Sequence, residues 1–201
     1  MNEIILSIDD LKIKFCKQVY QPSDDSYLLY DTVKQLKLKG KIAEVGSGTG
    51  LITLMLAHNN LVIASDLNIM AAKCTLENLK NNNLDDNVDV LCCDNLTPIR
   101  DGEIFDYIVF NPPYIPTKTI NEEDISWSGG KEGIEVTINF LKESIKRLKQ
   151  SGRIVCVLSS IMNLKALTKY IEELGYKTKI LTKKNFFFET LYVVIIEKPS
   201  I

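Results

Sequence analysis

Strand-like and helix-like segments alternate along this chain from about residue 40 onward, and that alternation limits the fold more than any other feature. Lys41 to Val45 reads as a short strand entering a glycine-rich turn, and Gly50 to Asn59 as the helix leaving it. Leu61 to Asp66 is a β-branched apolar run, followed by a helical pattern over Asn68 to Asn81. Val88 to Cys93 and Tyr107 to Phe110 supply two more strands. Helical spacing of Ile134, Ile138, Leu141, Ile145 and Leu148 predicts a helix over Ile134 to Gln150, closed by Ser151-Gly152. Strand Arg153 to Leu158, helix Asn163 to Leu174, and strands near Thr178 to Thr182 and Leu191 to Glu197 complete the series. Alternation of this kind argues for a parallel sheet covered on both faces. The last two strands have no helix between them, so the final strand is expected to run antiparallel.

The rest of the chain fits one domain over residues 1–201. Residues 1–39 form an N-terminal cap with a β-segment at Leu11 to Phe15 and a helix from about Asp25 to Leu36. The longest irregular stretch, within residues 115–133, is the expected substrate loop. Composition then removes whole classes of chemistry. With one histidine, His58, a site built on two histidines is impossible, and His58 itself suits the end of a helix. No apolar run approaches the roughly 18 residues of a membrane span, and the first ten residues are acidic rather than signal-like. A net charge of −2 gives no general attraction to nucleic acid, so stable DNA binding is not expected. Lysines at 142–149 and 177–184 read mainly as solvated faces, with the second group able to touch RNA or an acidic surface. The five cysteines, Cys16, Cys74, Cys92, Cys93 and Cys156, lack metal-ligand spacing. They read as small apolar side chains in a reducing compartment, hence a cytoplasmic, metal-free protein.

Chemistry concentrates at strand ends. Glu44-Val45-Gly46-Ser47-Gly48-Thr49-Gly50 joins a strand to a helix, where α/β sheets bind ligands. The dinucleotide fingerprint would require glycine where Leu51 stands. Glu44 would also sit badly beside a pyrophosphate, whereas a carboxylate suits the ammonium and sulfonium of S-adenosylmethionine. Gly46 and Gly48 let the backbone pass under such a ligand. Asp66 closes the next strand, where it can accept from both ribose hydroxyls. Asp94 closes the one after and can accept from the adenine amino group, while Asn95 offers a backbone N–H to the ring. Each acid alone could equally be a helix cap or loop residue. Three acids on successive strands, with glycines at the first, are far more specific.

Asn111-Pro112-Pro113-Tyr114 follows the fourth strand. Two prolines remove two backbone donors, so this turn projects carbonyl oxygens. The Asn111 side-chain oxygen and the Pro112 carbonyl make a pair of acceptors that can grip the two hydrogens of a planar NH2 group and stabilise developing positive charge. Tyr114 supplies a flat ring against that plane. No histidine base is required.

In this order, Glu44 to Gly50, Asp66, Asp94 and Asn111 to Tyr114 resemble class I S-adenosylmethionine-dependent methyltransferases that act on planar NH2 groups. Val19-Tyr20-Gln21-Pro22-Ser23-Asp24-Asp25-Ser26-Tyr27-Leu28-Leu29 is similar to a stretch of the HemK-type protein glutamine methyltransferases of the eukaryotic and archaeal release-factor branch. Trp127-Ser128-Gly129-Gly130-Lys131-Glu132-Gly133 and Glu189-Thr190-Leu191 resemble the same branch. The resemblance spans Tyr20 to Glu197. It implies a Rossmann-like, seven-stranded, mostly parallel sheet with an antiparallel last strand and helices on both faces. It also implies methylation of the glutamine amide in the Gly-Gly-Gln motif of a class 1 translation release factor, with S-adenosylhomocysteine as product. On that basis Asn111, Pro112, Pro113 and Tyr114 hold the substrate amide. Ser26, Glu44, Gly46, Gly48, Asp66, Asp94, Asn95 and Asn111 then line the cofactor. The branch commonly works with a small zinc-binding activator, implied here along the third strand, Val88 to Cys93, whose apolar residues sit at the expected sheet edge. Two other readings stay open: an adenine-N6 methyltransferase on DNA or RNA using the same clamp, and a nucleotide-binding scaffold without activity.

Overall fold

The computed structural model of the chain describes residues 4–117 and 127–199. An N-terminal hairpin of β1 (Ile5–Ile8) and β2 (Leu11–Lys14) precedes helix α1 (Asp24–Leu36). There follow β3 (Lys41–Val45), α2 (Leu51–Ala57), β4 (Leu61–Asp66), α3 (Ile69–Asn81), β5 (Val88–Cys92) and β6 (Phe105–Phe110). A two-residue strand β7 (Ile115–Pro116) pairs with β8 (Ser128–Gly130). Then come α4 (Glu135–Ile145), β9 (Leu148–Ser159), α5 (Leu164–Glu173), β10 (Lys177–Asn185) and β11 (Thr190–Glu197).

Seven strands form one sheet in the order β10-β11-β9-β6-β3-β4-β5. The pairings among β5, β4, β3, β6 and β9 are parallel, and β11 enters antiparallel between β9 and β10. Side-chain alternation explains why both faces are covered. Ile42, Val109, Val155, Val157 and Val193 pack with α1 and α2 residues such as Leu29, Val33 and Leu54. Their neighbours Ala43, Ile108, Phe110, Ile154, Cys156 and Val194 pack with Phe140, Leu141, Leu167 and Ile171 of α4 and α5. Adjacent residues of one strand therefore feed two cores. The chain reverses its strand order beside β3, so the carboxyl ends of β3, β4, β5 and β6 open onto one crevice.

Two expectations need correction. The helix read over Ile134 to Gln150 stops at Ile145, and Ser151-Gly152 lies inside β9 rather than closing a helix. The cause is Arg147, only 4% exposed, whose guanidinium donates to the Ile99 carbonyl (2.6 Å) and the Glu143 carbonyl (2.8 Å). That knot turns the chain, and Leu148 pairs with Phe105. Gly152 lets this bend pack, since a Cβ there would lie 2.8 Å from Leu148 and 2.9 Å from the Phe105 carbonyl. The N-terminal cap holds two strands rather than one. Asp9 turns between them with φ of 49° and accepts from Tyr30 (2.6 Å) and Lys34 (2.7 Å) on α1. Part of the expected substrate loop, residues 118–126, lies outside the described residues. Among the described residues, no helix is long and apolar enough to cross a membrane.

Candidate active site

The turn after β3 is held open from beneath. Gly46 and Ser47 donate their N–H groups to the Ser65 carbonyl on β4 (2.8 and 3.1 Å), and Gly48 donates to the Asp66 carboxylate (2.9 Å). Thr75 on α3 donates to Ser47 and Gly48 oxygens, and Asn78 donates to the Thr49 carbonyl. Gly46 takes φ of 72°, and a Cβ there would press on Phe110 at 3.2 Å, so the turn excludes larger residues.

Glu44, 4% exposed, is the last residue but one of β3, at the base of this turn. It accepts a hydrogen bond from Thr53 on α2. Burial pushes its carboxyl up to about 8 despite that bond, and the Asp66 charge adds to the shift. A buried acid of this kind favours a cationic ligand, whose arrival would return the carboxyl to its charged form. Asp66 ends β4, accepts from Gly48 and from the Asn68 N–H (2.8 Å), and is raised by burial. Asp94 follows β5 and accepts from the Asn95 side chain (2.7 Å). Asn95 has φ of 50°, a left-handed conformation that asparagine tolerates well.

Asn111 follows β6 and faces α1. Asp25, at the start of α1, accepts from the Ser26 N–H (2.6 Å) and the Ser26 hydroxyl (3.1 Å). Because Ser26 gives its hydroxyl proton to a carboxylate, its oxygen accepts from Asn111 Nδ2, 3.5 Å away. The Asn111 amide is thereby turned, and its Oδ1 is buried with no hydrogen-bond partner. Pro112 beside it is buried, and its carbonyl has no amide of its own residue to compete with. Tyr114 is half-buried, and burial together with Asp25 and Glu189 raises its phenol, so the ring remains neutral. Tyr20 is pushed up to about 12 chiefly by burial and donates to Asp25.

The segment from Trp127 to Gly133 sets the height of this loop. Ile115 donates to the Trp127 carbonyl (3.0 Å), and Thr117 to the Gly130 carbonyl (2.8 Å). A Cβ on Gly129 would lie 2.8 Å from the Tyr114 Cα, and one on Gly133 2.5 Å from the Tyr114 carbonyl. These glycines are supports that sequence reasoning did not identify. Their signal was the density of glycines after Trp127, but what they pack against is visible only in three dimensions.

Ser26, Glu44, Gly46, Gly48, Asp66, Asp94, Asn95 and Asn111 to Tyr114 all line one cavity of about 1400 Å³. Trp127, Asn139 and Lys142 also line it, so Lys142 faces the cavity rather than the solvated face its lysine-rich surroundings suggest. The reading of the cysteines needs the larger correction. Cys16 and Cys74 form a disulfide. Asn78 of α3 pins the Lys14 backbone with two hydrogen bonds (2.9 Å each), which carries Cys16 onto α3 beside Cys74 despite a separation of 58 residues. Cys92, Cys93 and Cys156 are free, and burial pushes the Cys156 thiol up to about 12. Among the described residues, no group of three His, Cys, Asp or Glu side chains could hold a metal.

Comparison with known proteins turns this geometry into an assignment. The family model described as methyltransferase small domain matches residues 15–188. The chain belongs to that family. This methyltransferase is 33% identical over 197 residues, 95% of its length and 98% of the relative's, to a Methanocaldococcus jannaschii chain named for protein N5-glutamine methylation. It is 30% identical to human methyltransferase HEMK2 over 88% of each chain. Among solved structures, the methyltransferase superposes on Mtq2 from the E. cuniculi Mtq2–Trm112 complex with a TM-score of 0.72 and 29% identity. That match covers 90% of this chain and 99% of the other. That complex is described as responsible for methylation of the translation termination factor eRF1. The cofactor of the methyltransferase is S-adenosylmethionine, and the residues present suit it: a buried acid awaiting a cation, and a glycine turn that no side chain could fill.

Proposed function

We propose that this enzyme methylates the side-chain amide nitrogen of the glutamine in the Gly-Gly-Gln motif of a class 1 translation release factor. One observation carries the reading: Asn111 Oδ1 is buried and unpaired at the end of β6. An orphaned buried acceptor costs about 1–3 kcal/mol, a cost that falls away when an N–H donor arrives. A primary amide brings two such hydrogens, one for Asn111 Oδ1 and one for the Pro112 carbonyl. The pair fixes the amide plane and stabilises positive charge as it develops on nitrogen. The neutral Tyr114 ring packs against the plane, and the surplus proton leaves to solvent, so no strong base is needed. The names of the M. jannaschii relative and the Mtq2 complex support glutamine, and a release factor, as the acceptor.

Glu44, Gly46, Gly48, Asp66, Asp94, Asn95 and Ser26 hold S-adenosylmethionine, which supplies an electrophilic methyl group when bound. Ile115 and Trp127, which line the cavity, select the substrate. A small zinc-binding activator covers β5, the edge of the sheet. In support, β5 is the edge strand of the sheet, Ile69 and Met70 near it are exposed, and the similar Mtq2 chain is part of an Mtq2–Trm112 complex. A cytoplasmic site of action follows from the release-factor reading alone and not from the cysteines, two of which form a disulfide.

A radiolabelled methyl-transfer assay, run with and without the activator, tests this. Offered side by side are a release factor, its Gly-Gly-Ala variant and adenine-containing nucleic acid. Label in the first alone is expected. Label in the nucleic acid, or equal label in the Gly-Gly-Ala variant, would refute the proposal.

A further inference from the structure

The hairpin joining β10 to β11 carries two phenylalanines at its tip. Phe187 and Phe188 are 92% and 88% exposed, more than any other large apolar side chain among the described residues. They stack edge to face on each other, with centroids 4.6 Å apart, and otherwise meet solvent. The tip is not loose. Phe186 donates to the Glu189 carbonyl (2.7 Å), and Thr190 donates to the Asn185 side chain (3.1 Å) across the last strand pair. Phe187 and Phe188 are thus the two central residues of a tight hairpin. Neither takes positive φ, so this four-residue connection accepts them without strain. Solubility argues against two bare aromatic rings at a hairpin tip, so their presence points to use.

Position identifies the use. Phe186, Phe187, Phe188 and Glu189 form one wall of a cleft of about 340 Å³ whose other wall is Tyr114, Asp25 and Ser23. Tyr114 also lines the main cavity, so the two spaces share that ring. The charged groups of the cleft already have partners. Asp24 pairs with Lys184 (2.7 Å), Asp25 with Ser26 and Tyr20, and Glu189 accepts from Ser159 (2.7 Å). Phe186 lies under the Lys184 ammonium, 5.1 Å from its centroid. What remains unpartnered is the aromatic pair.

We infer that Phe187 and Phe188 are a docking arm for the protein substrate, gripping an apolar side chain of the segment that flanks the methyl-accepting amide. This rests on the glutamine reading above. The arm adds affinity for an intact protein acceptor and touches neither the reacting amide nor the cofactor.

The test uses the full chain and the double variant Phe187→Ser/Phe188→Ser, with Phe187→Leu/Phe188→Leu as the conservative control. Intact release factor and a short Gly-Gly-Gln peptide serve as acceptors. With the serine pair, KM for release factor should rise about tenfold or more at little-changed kcat. Peptide turnover, S-adenosylhomocysteine affinity and thermal midpoint should hold, and the leucine pair should recover most of the loss. An unchanged KM for release factor would overturn the inference, as would equal losses on protein and peptide. So would a serine pair that only disperses a self-associated wild-type protein or only loses RNA binding. Calorimetric binding of release factor separates this from the glutamine reading. Binding without methylation, weakened by the serine pair, would refute that reading and support the arm; no binding by wild type would overturn the arm.

Discussion

Replacing Glu44 by glutamine should stabilise the cofactor-free protein and weaken its cofactor binding, two effects with one electrostatic origin. In the folded chain burial pushes the carboxyl up to about 8, against 4.5 ordinarily. Below pH 4.5 the group is neutral folded and unfolded, and its protonation favours neither state. As pH rises toward 8 the unfolded chain ionises the carboxyl while the folded chain keeps its proton, so stability is lost across that window. At about 1.4 kcal/mol per pH unit, the loss between pH 5 and pH 8 is roughly 3 kcal/mol. Glutamine keeps an oxygen for Thr53 but has no proton to lose. Urea unfolding at both pH values should therefore show the stability gap between Glu44→Gln and wild type widening by roughly 3 kcal/mol from pH 5 to pH 8. S-adenosylmethionine should bind the variant about ten- to a hundredfold more weakly, since a charged hydrogen bond is worth about 1.5–3 kcal/mol. Wild-type binding at pH 7 should also release a proton, seen as buffer-dependent heat in calorimetry. A gap that stays constant between pH 5 and pH 8 would refute the account of Glu44 as a buried, cation-awaiting acid.

Asn111→Ala should lower kcat by about a hundred- to a thousandfold, the usual loss of one preorganised transition-state partner. S-adenosylhomocysteine affinity should stay within about threefold, and the thermal midpoint should change little, because the Oδ1 it removes has no partner and the Nδ2 bond to Ser26 is long at 3.5 Å. Gly133→Ala places a Cβ at φ of 74° and 2.5 Å from the Tyr114 carbonyl. It should cost about 1–3 kcal/mol in urea unfolding and raise KM for the substrate; unchanged values for both would remove its supporting role. Cys74→Ser opens a loop closed across 58 residues. It should destabilise the oxidised protein by about 4 kcal/mol on the chain-entropy account. Adding dithiothreitol to wild type should reproduce most of that loss in a thermal scan.

What could be read from the chain alone was whatever depends on near neighbours in sequence. Runs such as Leu61 to Asp66 declare a buried strand, and the Glu44 to Gly50 turn declares a strand-to-helix ligand loop. Asn111 to Tyr114 announces acceptors because two prolines can only withhold donors. From such local signals came the parallel sheet, the antiparallel last strand (no helix precedes it) and the placing of Glu44, Asp66, Asp94 and Asn111 to Tyr114 around the cavity, whereas Ser26 came only from the family resemblance.

What depends on partners far along the chain was decided only by folding. Arg147 looks like a solvated helix residue until its guanidinium finds the Ile99 carbonyl and stops the helix. Cys16 and Cys74 look unrelated until Asn78 draws β2 onto α3. Gly129 and Gly133 belong to a segment with a family resemblance, but their task is visible only where Tyr114 packs against them. Ser26, 85 residues from Asn111, turns that amide so that its oxygen lies buried and unpaired. The sequence determined which chemical groups exist and which local shapes they take. The tertiary structure decided which groups meet and which are denied water, because desolvation and close packing belong to the assembled core and not to any segment of it.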